Sequence, residues 1–247
     1  MSKFGFPVWS VVLLLGLAGT ALTAGAAGAK NTGTDLDADP HLAGRWTFDD
    51  GSGTTAADAT AHGRDGTLKG SLTFEKHSAP GRCGKALNFN GKGAVEVKGY
   101  KGVTGIRPRT VAAWIQTKAS RGEVLAWGGD DFGKRWSLQF IRGRLGVSPH
   151  GGYLYMNDPV HDGKWHHVAV VMKEAERPNL HDDVTLYKDG ERAAIHDIGL
   201  LDLWPIDTGE AQDVRIGRGF NGLIDEVRIY DRALSAEEIK ALVTGSK

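Results

Sequence analysis

From His41 onward, short apolar runs alternate with glycine, asparagine and aspartate, and the apolar positions recur about every second residue. This is the pattern of half-buried antiparallel strands, in which alternate side chains face a core. Helical periodicity is almost absent, so we predict an all-β fold, a two-sheet antiparallel jelly-roll sandwich. The clearest strand candidates cover residues 42–48, 94–98, 110–117, 136–141, 165–172 and 184–188.

The dipeptide Asp189-Gly190 is the strongest turn signal in the chain. A two-residue hairpin turn needs positive φ at both central positions, and aspartate and glycine adopt it at little cost. We therefore predict that residues 184–188 pair with residues 191–195. Three tryptophans lie in the middle of predicted strands and are assigned to the core: Trp46, Trp114 and Trp165.

A short C-terminal helix is predicted over about residues 235–243. Ser235 and Glu238 stand at the two positions of a capping box, which satisfies free N–H groups at a helix start. Leu234 and Ile239 have the spacing of a hydrophobic staple.

The N-terminus has the pattern of an export signal, which we place at residues 1–29. Lys3 precedes an apolar run over 8–22 that is rich in glycine and alanine and short for a membrane span. The alternative is an uncleaved anchor. Residues 30–40 are polar and are predicted to form a flexible leader, and residues 41–247 one folded domain. The protein is accordingly expected to be secreted, into a periplasm or outside the cell.

The charges balance, with 30 Lys+Arg against 30 Asp+Glu, so neither nucleic acid nor an anionic membrane is an expected partner. Cys83 is the sole cysteine and excludes an internal disulfide. Arg82 and Lys85 are positioned to lower the pKa of its thiol and make it reactive. The alternative is an inert turn residue.

Four segments resemble the laminin-G-like jelly-roll domains of the concanavalin A-like lectin and glucanase superfamily, and together they cover most of residues 42–243. The resemblance implies two packed antiparallel sheets, often a calcium ion at the rim, and recognition of carbohydrate or protein. The segments are 46–58 (WTFDDGSG, then AD), 84–91 (GKALNFNG), 164–170 (KWHHVAV) with 186–190 (LYKDG), and 222–239 (GLIDEVRIYDRALSAEEI).

Three aspartates are the candidate metal ligands: Asp49, Asp58 and Asp225. The first two flank a glycine-rich turn, which presents carboxylates and backbone carbonyls to a hard cation, and the resemblance favours calcium. The alternative is that they are ordinary solvated turn residues. Zinc is disfavoured, because the adjacent His166 and His167 point to opposite faces of a strand.

A saccharide platform is the second candidate site. The loop 150–158 combines glycines with aromatic and short polar residues, the usual constituents of a sugar site. A tryptophan before a second glycine-rich turn is a further candidate face. The alternative is that these aromatic side chains are core. The candidate residues are Trp127, Tyr153, Tyr155, Asn157 and Asp158.

No catalytic residues are predicted. The superfamily's retaining glucanases carry a Glu-x-Asp-x-x-Glu run on one strand, which this chain lacks, and Glu226 is only an isolated candidate acid. The sequence therefore favours a non-catalytic recognition module for a glycan. The alternatives are a domain that binds an extracellular protein or has a structural role in the envelope, and, third, a glycosidase.

Overall fold

The computed structural model describes residues 35–196 and 204–245. The predicted signal peptide at 1–29 lies outside the described residues. All described residues fall in one compact unit. Within them, no helix combines the length and apolar composition of a membrane span.

The elements of the described residues are mostly short strands, with three helices. The strands are β1 (Leu42–Trp46), β2 (Thr55–Ala56), β3 (Gly66–Lys69), β4 (Ser78–Pro80), β5 (Lys85–Asn90), β6 (Ala94–Val97), β7 (Arg109–Gln116), β8 (Glu123–Gly128), β9 (Arg135–Ile141), β10 (Arg144–Ser148), β11 (Leu154–Met156), β12 (Trp165–Met172), β13 (Val184–Lys188), β14 (Glu191–Arg192), β15 (Ile195–His196), β16 (Gln212–Ile216) and β17 (Asn221–Tyr230). The helices are α1 (Phe74–His77), α2 (Leu180–Asp183) and α3 (Ala236–Gly245).

The strands form two antiparallel sheets, which confirms the predicted all-β jelly-roll sandwich. The eight-stranded sheet has the order β14-β13-β12-β7-β17-β5-β4, with β1 also paired to β17. The nine-stranded sheet has the order β15-β11-β10-β9-β8-β16-β6-β3-β2. Consecutive hairpins such as β8-β9-β10-β11 alternate with pairs that are distant in sequence, such as β7 with β17 and β8 with β16.

The C-terminal helix is present, and the predicted hairpin forms at Asp189-Gly190, which have φ of 52° and 86°, but it is shorter than predicted. Tyr187 and Lys188 pair with Arg192 and Glu191, whereas Ile195 pairs with Met156 in the other sheet. At α3, the Ser235 N–H donates to Glu238 Oε2 (2.8 Å) and the Glu238 N–H donates to Ser235 Oγ (3.2 Å). This is the reciprocal capping box that the sequence predicts.

Inner side chains of both sheets make one hydrophobic core, which includes Trp46, Phe48 and Phe89. The other two tryptophans assigned to the core do not lie in it. Trp114 is buried but faces the outer side of the eight-stranded sheet, beside His167 and under Arg82. Trp165, at the start of β12, is half-buried. Strand alternation allowed each of these side chains to face either the core or the outer side of the sheet. The size of tryptophan favoured the core, which was wrong.

The outer side of the eight-stranded sheet is covered by a second apolar cluster. Ile239 and Leu242 of α3 pack there with Leu36, on strand residues such as Ala112 and Ala169. The sheet is therefore buried on both faces, which explains why its strands are apolar almost throughout.

The described part of the predicted leader, residues 35–40, is packed on the fold and does not behave as a flexible spacer. Leu36 is buried, and the Asp37 carboxylate pairs with Arg228 at 3.0 Å and with Arg45 at 2.9 Å. Asp39 binds Arg232 in the same way. The polar composition of this segment led to the wrong prediction. Asp37 and Asp39 pair with Arg228 and Arg232, which lie about 190 residues later in the chain.

Candidate functional site

The outer face of the nine-stranded sheet carries polar and aromatic side chains. Cross-strand partners share a face, so the strand registers define two rows across it. One row runs Thr67, Glu96, Arg215, Ala126, Ser137, Ser148. The other runs Glu123, Gln139, Gly146, Tyr155, His196.

Three near-parallel rings lie at the β15 edge of this face. The ring centroids of Tyr153 and Tyr155 are 5.9 Å apart, with planes within 15°. Tyr155 and His196 are closer, at 4.9 Å and 13°. The guanidinium of Arg142 lies 5.4 Å from the Tyr153 ring centre. We call Tyr153, Tyr155 and His196 the aromatic row; all three are partly or fully exposed.

Local structure explains this row. Tyr153 and Tyr155 are two positions apart, so they project from the same side of β11. β15 is held against β11 by Asn157, whose N–H donates to Ala194 O (2.8 Å) and whose Nδ2 donates to Ile195 O (3.1 Å). The amide of Asn157 therefore positions the row. Asp158 is exposed next to it.

Trp127 does not belong to this surface. Its side chain is 1% exposed, its Nε1 donates to Val103 O (3.0 Å), and its ring packs near Trp136. The predicted role of Trp127 as a ligand-binding face is wrong, because its strand, β8, turns this position toward the core.

An ion-pair cluster occupies the same outer face. Glu123 is buried and its carboxylate contacts the guanidinium groups of Arg135, Arg218 (2.7 Å) and Arg215 (3.8 Å). Arg135 also reaches Asp130 at 3.3 Å. The row that contains Ala126 has small side chains at this point. They leave room for the glutamate and arginine side chains to meet over the surface of the sheet.

A further aromatic contact lies where the β8–β9 and β10–β11 loops meet. Phe132 and Trp204 are exposed, with centroids 4.7 Å apart and planes within 23°, and His150 meets Phe132 edge-on at 5.4 Å. Exposed apolar side chains in contact are typical of binding surfaces.

The three predicted metal ligands are not brought together. In residues 35–196 and 204–245, no three His, Cys, Asp or Glu side chains are placed to hold one ion. Asp58 is a turn residue: it accepts hydrogen bonds from the N–H groups of Arg45, Thr60 and Arg64 and from the Thr60 hydroxyl. Burial opposes its ionisation, but these donors outweigh burial and lower its pKa. Both its oxygens are used.

Asp49 and Asp225, in contrast, approach one turn. Asp225 Oδ2 accepts from the N–H groups of Arg82 (2.8 Å) and Cys83 (3.0 Å), and Asp49 Oδ1 accepts from Lys85 N–H (2.7 Å). Burial raises the pKa of Asp225 to about 7. Within the described residues, its buried Oδ1 has no hydrogen-bond partner.

Glu226, the isolated candidate acid, is buried in an ion-pair network. Its side chain is 1% exposed and pairs with Arg45 (3.0 Å) and Arg228 (2.8 Å). Burial, followed by the carboxylates of Glu226 and Asp225, raises the pKa of the Cys83 thiol. This favours the inert turn residue over a thiol activated by Arg82 and Lys85; Arg82 lies 4.7 Å over the Trp114 ring.

A family model described as the concanavalin A-like lectin/glucanases superfamily, laminin-G type, matches residues 89–240, which is more than half of the chain. The chain belongs to the concanavalin A-like lectin/glucanase superfamily. The resemblance seen in its sequence segments is thereby confirmed. Among curated proteins, none matches the chain.

Solved structures share the fold of this superfamily member. Domain 4 of AbnA, a GH43 extracellular arabinanase from Geobacillus stearothermophilus, in complex with arabinotriose, is 21% identical at a TM-score of 0.59, covering 82% of this chain and 98% of that domain. The binding domain of Paraclostridial Mosquitocidal Protein 1 is 16% identical at 0.51, covering 80% and 53%. The botulinum neurotoxin serotype D ligand-binding domain in complex with N-acetylneuraminic acid is 14% identical at 0.51, covering 83% and 51%. The chain spans about half the length of these last two.

The sequence did not indicate several residues of the site. His196 joins the row only through the pairing of β11 with β15, which has no local signal. Arg142 lies in a two-residue turn, Arg142-Gly143, with positive φ at both positions, between Ile141 and Arg144. Arg-Gly is not one of the usual hairpin dipeptides, because arginine seldom adopts positive φ, so the sequence did not indicate this turn either.

Proposed function

We propose that this chain is a secreted, non-catalytic recognition domain that binds a glycan on the outer face of its nine-stranded sheet. The observation that carries the proposal is the aromatic row. Three near-parallel rings, exposed and fixed by strand pairing, offer apolar ring surface together with hydroxyl and imidazole groups, which is the combination that sugars require. The carbohydrate complexes of two structural neighbours support it. Export is supported by the pattern of residues 1–29.

The absence of a glucanase run and the ion-paired state of Glu226 support a binding role over catalysis. A binding-only domain should release no reducing sugar from polysaccharides that it retains. Hydrolysis that disappears in Glu226→Gln, with the protein still folded, would contradict this.

Calcium is part of the proposal, at Asp225 and Asp49. The buried Asp225 Oδ1 without a hydrogen-bond partner fits a cation, and carboxylate oxygens are ligands that calcium prefers. Asp58 is left out, because its oxygens are occupied. The ion would fix the turn 81–85 and so support the fold.

A glycan array with the purified protein, in calcium, tests the binding proposal. Tyr155→Ala is expected to abolish binding with little change in melting temperature, because Tyr155 is partly exposed. Trp204→Ala is the matched control, since it removes an exposed aromatic side chain away from the row. If Trp204→Ala loses binding and Tyr155→Ala retains it, the glycan site lies at the Phe132–Trp204 contact. If no glycan binds, a protein partner becomes the better proposal.

A further inference from the structure

The ion-pair cluster on the outer face has an excess of positive charge. Three guanidinium groups, those of Arg135, Arg215 and Arg218, surround the single carboxylate of Glu123. In the described part of the chain, the one further carboxylate that they contact is that of Asp130, which also accepts a hydrogen bond from Gln212. Three positive charges therefore face two negative charges.

The cluster also has donors that make no hydrogen bond. Among the described residues, Nε and Nη2 of Arg215 and Nε of Arg135 are buried without a hydrogen-bond partner, although Nη2 of Arg215 lies 3.8 Å from Glu123 Oε2 in an ion pair. Buried charged donors are costly to leave unsatisfied, so these groups favour an additional partner such as a water or an anion. Burial, and then repulsion by Arg218, lowers the pKa of Arg215, which is consistent with a guanidinium short of anions.

A cavity borders Arg215. Arg215 and Gln212 line a cavity of about 300 Å³ on the same face, together with Lys98 and Lys69. Its acidic side chains are Glu96 and Asp213, and Asp213 is already held by Lys101 at 2.7 Å. The cavity therefore offers an anion both a guanidinium fork and ammonium groups.

The cluster and the aromatic row are parts of one surface. Glu123, Gln139, Gly146 and Tyr155 are successive cross-strand partners. Three strand spacings, about 14 Å, separate Glu123 from Tyr155, and Arg215 on β16 lies one spacing farther, about 19 Å from Tyr155. Gly146, between them, has no side chain to block a ligand that lies across the sheet.

We propose that the glycan is anionic, and that its carboxylate or sulfate group binds Arg215 and Arg135 while its sugar rings contact the aromatic row. This inference rests on the proposed function, because the same ligand occupies both places. Arginine forms bidentate hydrogen bonds with oxyanions, so the Nε–Nη2 edge of Arg215, which makes no hydrogen bond, matches either acidic group.

Matched ligand pairs test the proposal: oligogalacturonate with its methyl ester, sialyllactose with lactose, and a sulfated galactan with its desulfated form. In titrations of the purified protein, the acidic member of at least one pair is expected to bind about tenfold more tightly than its neutral partner. Arg215→Gln should remove that preference and leave affinity for the neutral sugar unchanged, whereas Tyr155→Ala should weaken both. The ligand pair that shows the preference identifies the recognised group as a carboxylate or a sulfate.

Two further variants control for folding and for net charge. Lys98→Gln, at an exposed position of the same cavity, should weaken the acidic ligand alone. Arg192→Gln removes an exposed arginine from the other sheet and should change nothing. The inference is overturned if both members of every pair bind with equal affinity, or if the preference survives Arg215→Gln. The proposed function still holds in that case, provided that neutral sugars bind in a way that depends on Tyr155. Equal binding of poly-glutamate through Arg215 also overturns it, and failure of all saccharides to bind overturns both.

Discussion

Asp225 and Asp49 bind opposite ends of one short turn, residues 81–85. Asp225 accepts from the second and third residues and Asp49 from the fifth. The turn has glycines where the carboxylates approach: a Cβ at Gly81 would lie 2.6 Å from Asp225 Oδ2, and one at Gly84 would lie 2.2 Å from Asp49 Oδ1. The two aspartates thus join β17 and the segment after β1 to the start of β5.

Calcium is expected to raise the melting temperature through these two aspartates. An ion that binds only the folded protein stabilises it by about 2.7 kcal/mol at a hundredfold excess over its Kd. Asp225→Asn keeps an oxygen that can accept from the turn but loses the charge, so its melting temperature should not respond to calcium. Asp58→Ala should lower the melting temperature yet retain the response. Melts in calcium, magnesium and chelator measure both, and a full calcium response in Asp225→Asn contradicts the site.

Trp114 and Trp165 should differ sharply in their contribution to stability. Trp114 is 5% exposed and packs against His167, so Trp114→Ala should cost about 3–5 kcal/mol of unfolding free energy. Trp165 is half-buried at a strand end, and Trp165→Ala should cost about 1 kcal/mol or less. Urea denaturation measures each. Equal losses would show that exposure does not decide the cost here.

These tryptophans illustrate what a strand pattern can establish. The positions of β12 and β13 were predictable to the residue, because apolar alternation, the Asp189-Gly190 turn and strand length agree. The face of Trp114 was not, since α3 and residues 35–40 bury the outer side of this sheet as well. A sequence pattern shows which residues alternate, but it does not show which sides of a sheet are covered.

Stability should decrease in mild acid because of His167. Burial, with a further contribution from Arg228, lowers the pKa of His167 to about 3 from its usual 6.5. Between these values the unfolded chain binds a proton that the folded protein excludes, so stability is lost as pH falls below about 6.5, by up to about 1.4 kcal/mol per pH unit.

His167→Phe should remove this part of the pH dependence, because phenylalanine fills the site beside Trp114 without titrating. His62→Gln, at an exposed position, is the control and should retain it. Unfolding free energies measured from pH 7 to pH 4 compare the three proteins. An unchanged slope in His167→Phe would assign the acid sensitivity to other groups.

Glu226→Gln should destabilise the protein by about 3–5 kcal/mol, because it leaves the buried guanidinium of Arg228 and that of Arg45 with less compensating charge. Glu191 pairs with Lys240 at 2.7 Å on the exposed surface. Glu191→Gln should therefore cost about 0.5 kcal/mol or less. Chemical denaturation at pH 7 distinguishes the two, and a small effect at Glu226 would mean that Asp37 compensates both arginines.

The candidate site was predictable only in part. Tyr153 and Tyr155 could be chosen because their spacing places both on one side of a strand next to a glycine-rich loop. Arg215 and Glu123 could not, since they are 92 positions apart in the sequence and meet only through the pairing of β16 with β8. Asp58 was misassigned for a related reason: an aspartate that caps a turn and one that binds a metal look the same until their donors are known.

The packed segment at residues 35–40 also sets a direction for the molecule. Asp35 and Gly245 line the same pocket beside α3, on the outer side of the eight-stranded sheet. The aromatic row and the arginines lie on the opposite side, beyond the second sheet. Residues 35 and 245 therefore both lie on the side of the domain that is opposite the surface proposed for the glycan.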